Sequence, residues 1–186
     1  MKRAVILHGT DGKPDSNWFM WCKAELEKAG YEVWIPELPN NHTPNRQLYN
    51  DFLLDRGWDF NSNLIIGHSS GAVSVLNLLM DGRCPRIKAA CMVGVWANNE
   101  GTELDKEQFK YLFPAKGFDF ELIKSKTDNF VYVHGSDDPF CPIDQAKWLS
   151  SQTGGEFVTV PNGHHLGSVR TQLPELIEAL QNNHIL

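Results

Sequence analysis

Gly67-His68-Ser69-Ser70-Gly71 stands between the apolar runs Leu64-Ile65-Ile66 and Ala72 to Met80. A serine held between glycines where a strand passes into a helix matches the Gly-x-Ser-x-Gly elbow, a tight turn that lifts a hydroxyl above the end of a sheet. Ser69 is therefore the candidate nucleophile. A hydroxyl attacks well only when a base removes its proton, and the usual base is a histidine oriented by a carboxylate. On such a sheet the acid and the base follow the serine in chain order, in loops at the ends of later strands. Gly135-Ser136-Asp137-Asp138-Pro139 follows one later apolar run, and Pro161-Asn162-Gly163-His164-His165 follows the next. Either aspartate meets the requirement for the orienting acid, and either histidine that for the base. The spare aspartate reads as a turn or cap residue and the spare histidine as a packed or solvated loop residue.

The tetrahedral intermediate of acyl transfer also needs two N–H donors. Ser70, directly after the nucleophile, offers one at the N-terminus of the following helix. The loop after the first strand, His8-Gly9-Thr10-Asp11-Gly12, offers the other, for which Thr10 is the candidate. His8 itself reads as a packed loop histidine.

These residues need a scaffold that brings three distant loops to one edge. Ala4 to Leu7, Tyr31 to Ile35, Leu64 to Ile66, Ala89 to Ala97, Phe130 to Val133 and Phe157 to Val160 read as strands. Trp18 to Ala29, Leu48 to Leu54, Ala72 to Met80, Ile143 to Gln152 and Pro174 to Gln181 read as helices, with Gly30 and Gly154 as stops and Pro174 as a start. Strands that alternate with helices, and are apolar throughout, predict an α/β fold: a doubly wound, mostly parallel sheet of about six strands with helices on both faces. One domain over residues 1–186 is expected, with residues 98–129 as a small cap or lid, because a polar segment of that length between two strands usually carries local helix and often function. Trp18 and Trp21 read as core. Trp96 and Phe140, at strand ends, read equally as core or as walls of an acyl pocket.

Composition limits the alternatives. A net charge of -6 without a basic cluster argues against nucleic acid and anionic membranes as partners. The opening apolar run is too short for a signal peptide, and no stretch approaches a membrane span, so a cytoplasmic location with reduced Cys22, Cys84, Cys91 and Cys141 is the expectation. No dinucleotide or phosphate loop occurs, so no cofactor is expected. His134, Asp137, Asp138, His164 and His165 would be the ligands of a metal hydrolase, but adjacent pairs point apart and no metal-ligand spacing supports that reading.

At these residues the chain resembles an α/β-hydrolase with a minimal cap and, more narrowly, the small serine hydrolases of the retinoblastoma-binding-protein-9-like family. The resemblance runs nearly end to end through VILHG, NWFMWCKAELEKAGYEV, PELPN, IIGHSSGA, FDFELIK, GSDDPFCP and NGHH. The family's Gly-x-x-Asp-x-x-x-Pro pattern maps the acid onto Asp138, and its Gly-His maps the base onto His164. The resemblance implies a serine hydrolase with a Ser69-Asp138-His164 triad acting through an acyl-enzyme. Because only the mostly polar segment 98–129 is left for a cap, small ester-type molecules rather than long lipids are the expected substrates, with thioesters or amides as further ones. The rival expectation is a hydrolase-fold binding module with a weak or inactive site. The Leu-x-Cys-x-Glu motif linked to pocket-protein binding is absent, so no such partner follows.

Overall fold

The computed structural model describes residues 1–167 and 170–186. Its strands are β1 (Lys2–Leu7), β2 (Tyr31–Trp34), β3 (Leu64–His68), β4 (Ala89–Val93), β5 (Phe130–Gly135) and β6 (Glu156–Val160). They form one sheet in the order β2-β1-β3-β4-β5-β6, and every neighbouring pair is parallel. The helices are α1 (Phe19–Lys28), α2 (Arg46–Leu54), α3 (Ser70–Leu79), α4 (Phe120–Lys126), α5 (Ile143–Thr153) and α6 (Pro174–Asn182).

The central strands β3, β4 and β5 are buried on both faces, as a covered parallel sheet requires, whereas the edge strands β2 and β6 leave Glu32, Glu156 and Thr159 exposed. Along β1, Ala4 and Ile6 pack on one side while Val5 and Leu7 pack on the other. α1 and α6 cover the first side through Phe19, Cys22, Leu26, Leu176 and Leu180. α2, α3, α4 and α5 cover the second through residues such as Leu53, Leu76, Ile123 and Leu149. α3 is buried along its whole length, which is why its sequence is apolar on nearly every face. Full burial of each of its leucines contributes roughly 1.5–3 kcal/mol.

Local signals set the ends. Asn45 and Asp119 accept the N–H of Leu48 and Leu122 as N-caps of α2 and α4, and Gly154 ends α5 with φ 77°. β4 stops at Val93, short of the expected Ala97, because Gly94 turns the chain with φ 62°. α3 starts at Ser70, two residues before the expected Ala72. The strand order reverses between β1 and β3, the switch point where such sheets open a crevice at their carboxyl ends. The loops after β1 and β3 flank that point.

The segment 98–129 contains α4 and several turns. It is fastened down. Phe109 and Leu112 enter the core, Asn77 donates from its side chain to Leu112 O at 2.8 Å, and Gln145 accepts the N–H groups of Ala97 and Asn98. Among the described residues no helix is long and apolar enough to cross a membrane. All four cysteines are buried and unpaired.

Candidate active site

Ser69 sits at the junction of β3 and α3 with φ 57° and ψ -127°, a strained conformation for a residue with a side chain. Its N–H donates to Val93 O at 2.9 Å and its carbonyl accepts the N–H of Ala72 at 2.8 Å, which holds the turn. The flanking glycines are required by contact. A Cβ on Gly67 would collide with the Gly71 carbonyl, and one on Gly71 would collide with the Leu7 and His8 carbonyls at the end of β1. The loop after β1 closes on the serine: a Cβ on Gly9 would lie 2.8 Å from Ser69 Cβ and 3.3 Å from its Oγ. The Thr10 hydroxyl donates to Ser70 Oγ at 2.9 Å, tying that loop to the elbow. Ser70 opens α3, so its N–H has no carbonyl one turn back.

The β1 loop is supported from below by His8, which is fully buried. Its Nδ1 lies 2.8 Å from Gly9 O, and its Nε2 accepts the N–H of Leu38 at 2.9 Å, so the proton belongs on Nδ1. Burial holds this imidazole below its usual pKa, against the opposing pull of the Gly9 carbonyl.

Beyond β5 and β6 the two Asp–His pairs separate into an inner and an outer one. Asp138 Oδ1 accepts the N–H groups of Phe140 and Cys141 at 2.9 and 3.0 Å, and its Oδ2 lies 2.8 Å from His165 Nδ1. The Asp138 side chain has no exposed surface. Burial alone would raise this carboxyl; the hydrogen bond and charge of His165 and the two backbone donors outweigh it, and the pKa falls below the usual carboxylate range. Asp137 engages the other histidine, accepting the His164 N–H at 2.9 Å and lying 2.8 Å from its Nδ1. That ring is 63 % exposed.

The expected pairing of His164 with Asp138 is therefore corrected: the structure gives Asp138 to His165 and turns His164 outward onto Asp137. The physical reason lies in the backbone. His164 has φ 49° and Leu166 φ 53°, so the chain reverses around His165 and directs its ring inward. The His164 carbonyl occupies the space where a Cβ on Gly135 would stand. No spacing rule in the sequence carries this information, although the Gly163-His164-His165 doublet marked the place.

His165 is walled by the elbow and by β4. Its ring lies 5.0 Å from that of His68 and meets Phe140 edge-on at 5.3 Å, with Gly94 beneath it. His68 is buried against Trp18 and Phe19, and burial, then the nearby charge of His165, lowers its pKa to about 3. His134, also buried, is held below its usual pKa by burial despite Asp138 at 3.8 Å. Trp96 lies in the core, edge-on to Phe109 and Phe113, whereas Phe140 is half exposed beside His165.

Asp138, Cys141 and His165 bring a carboxylate oxygen, a sulfur and an imidazole nitrogen within 4.8 Å of one another. As a metal site the donors fit poorly. Both Asp138 oxygens and His165 Nδ1 are already bonded to each other or to backbone, and burial pushes the Cys141 thiol well above its usual pKa. A strained serine turn near a buried imidazole–carboxylate pair suits nucleophilic acyl transfer instead.

Comparison with known proteins agrees in kind. A family model described as "Serine hydrolase" matches residues 4–182. The rat (Rattus norvegicus) protein "Serine hydrolase RBBP9" is 21% identical over 183 residues, 97% of this chain and 94% of that protein. The ydeN gene product of B. subtilis superimposes with a TM-score of 0.89 at 20% identity, covering 100% of both chains. Est1E from Butyrivibrio proteoclasticus, solved with ferulic acid bound, gives 0.71 at 15% identity over 100% of this chain and 88% of that one.

Proposed function

Because the chain belongs to the serine hydrolase family, we propose that it cleaves small esters through an acyl-enzyme, with Ser69 as nucleophile, His165 as base and Asp138 as the orienting acid. The observation that carries this reading is the buried Asp138–His165 hydrogen bond of 2.8 Å beside the strained serine turn. With Nδ1–H donated to Asp138, the lone pair of His165 is on Nε2, the tautomer a general base requires. Nε2 takes the Ser69 proton as Oγ attacks the acyl carbon. The N–H groups of Thr10 and Ser70 hold the oxyanion that forms, a contribution of about 3 kcal/mol per donor in comparable sites. His165 then returns the proton to the departing alkoxide, and water repeats the sequence on the acyl-enzyme.

The preference for small acyl groups rests on where the aromatic residues of segment 98–129 go. Phe109 and Leu112 are buried, and Phe113, Phe118 and Phe120 pack against the same core. Only Tyr111 in this group is strongly exposed, which leaves little apolar surface to hold a long chain.

Labelling with a fluorophosphonate and mapping the modified peptide tests the chemistry and the nucleophile together. Ser69 is the expected adduct. His165→Gln should lower turnover by about three orders of magnitude or more, and His164→Gln by less than about tenfold. The reverse ranking would return the base to His164 and overturn this triad.

A further inference from the structure

The loop that carries His165 is strained on both sides of it. His164 and Leu166 are left-handed, with φ 49° and 53°, a region that residues with a Cβ rarely occupy. Such conformations persist only where surrounding contacts over-determine them. Two buried donors supply those contacts, on consecutive carbonyls. His68 Nε2 lies 2.8 Å from the His165 carbonyl, and Trp18 Nε1 donates to the Leu166 carbonyl at 2.8 Å. His68 is 4% exposed and Trp18 is 0% exposed.

The two donors also brace each other. Their rings meet edge-to-face at 6.1 Å, and Phe19 packs on both. The His165 carbonyl can only accept, so the ring proton belongs on Nε2, and among the described residues the buried Nδ1 of His68 has no partner. His68 is covalently next to Ser69. A rigid imidazole therefore spans from the residue beside the nucleophile to the backbone of the residue carrying the base. Trp18, which caps α1, fixes the following peptide from the opposite end of the chain.

We propose that His68 and Trp18 form a two-point clamp that sets the distance and angle between Ser69 and His165; both are positioning residues, neither touching the reacting atoms. This rests on the reading of His165 as the base. A donor at this place must be neutral, since a cation beside His165 would oppose the imidazolium that forms during attack. Burial keeps His68 neutral. Glutamine is the substitution that preserves an N–H donor at about the reach of Nε2 without charge; phenylalanine preserves the ring and removes the donor.

The test uses the full chain carrying His68→Phe, His68→Gln, Trp18→Phe or the His68→Phe/Trp18→Phe pair, with p-nitrophenyl acetate as substrate and folding checked by circular dichroism. Misplacement of a base by a fraction of an ångström to 1 Å costs up to about a hundredfold. His68→Phe should lower kcat about tenfold or more with KM within about twofold, and His68→Gln should recover most of that loss. Trp18→Phe should lower kcat by a smaller factor, and the pair by more than either single change. Normal kcat in His68→Phe and Trp18→Phe, or equal impairment of the Gln and Phe variants, would overturn the clamp. Should His68→Phe fail to fold, Trp18→Phe decides by the same criterion. His165→Gln is measured alongside. If it is inactive while the clamp variants turn over normally, the clamp alone fails; if it turns over normally, the base reading fails and the clamp with it.

Discussion

Lowering the pH from 7 to 5 should weaken the fold, and His68 allows the size of the effect to be worked out. Its pKa is depressed from an ordinary value of about 6.5 to about 3, by burial first and then by the charge of His165. The carbonyl of His165 and the charge of Asp138 pull the other way, and His8 adds a small further depression. The unfolded chain therefore binds a proton below pH 6.5 that the folded chain refuses. Stability from this ring is fully present above 6.5 and is lost progressively toward pH 3. Between pH 7 and 5 the loss is about 2 kcal/mol from His68 alone, and about 5 kcal/mol when complete. His8 and His134 are depressed by burial too and add to the fall. Asp138 does not enter this window, because its carboxyl titrates below the usual carboxylate range. The assay is urea unfolding at pH 7, 6 and 5 for the unaltered chain and for His68→Gln, which removes the titrating ring. The pH dependence of the variant should be shallower by about 2 kcal/mol over this range. Parallel curves, within about 0.5 kcal/mol, would refute the reasoning, since the difference between them isolates one histidine.

Gly71→Ala drives a methyl into the Leu7 and His8 carbonyls and should cost about 3 kcal/mol, read as a lower urea midpoint. Gly135→Ala displaces the His164 carbonyl and, with it, His165, the proposed base, and should lower kcat about a hundredfold while the chain stays folded. Asp138→Asn should cost several orders of magnitude in kcat, whereas Asp137→Asn should cost less than about tenfold. Across p-nitrophenyl esters from acetate to palmitate, kcat/KM should peak among the short chains; a steady rise to palmitate would contradict the proposed preference for small acyl groups, since each buried methylene contributes about 0.8 kcal/mol.

The architecture could be read from residues because the central strands are apolar runs buried on both faces and several helices carry a stop or start residue. Leu64 to Ile66 and Phe130 to Val133 are examples, with Gly154 and Pro174 as punctuation. Boundaries were less legible. β4 looked longer because Val95 to Ala97 are as apolar as the strand, but they are buried by side-chain packing after the chain has turned at Gly94. The elbow was legible because its glycines, serine and flanking elements are contiguous in the chain. The histidine was not, because His164 and His165 differ only in the sign of a backbone angle that neighbouring carbonyl contacts impose. Trp18 reads as core and is core; its indole N–H reaching Leu166 is a contact across 148 residues that no local pattern encodes.

The order of the strands also governs when the molecule becomes able to act. The serine turn is finished once β1 to β4 exist, whereas Asp138 and His165 arrive with β5 and β6 at the far edge of the sheet. N-terminal parts of a chain emerge first from the ribosome and begin to fold first. A nascent chain that had reached β4 would present Ser69 and the donors of His68 and Trp18, yet would hold neither of the loops proposed to activate the hydroxyl. A truncated product of interrupted translation would then be acyl-inert, and hydrolytic competence would be conferred by the last strand to dock.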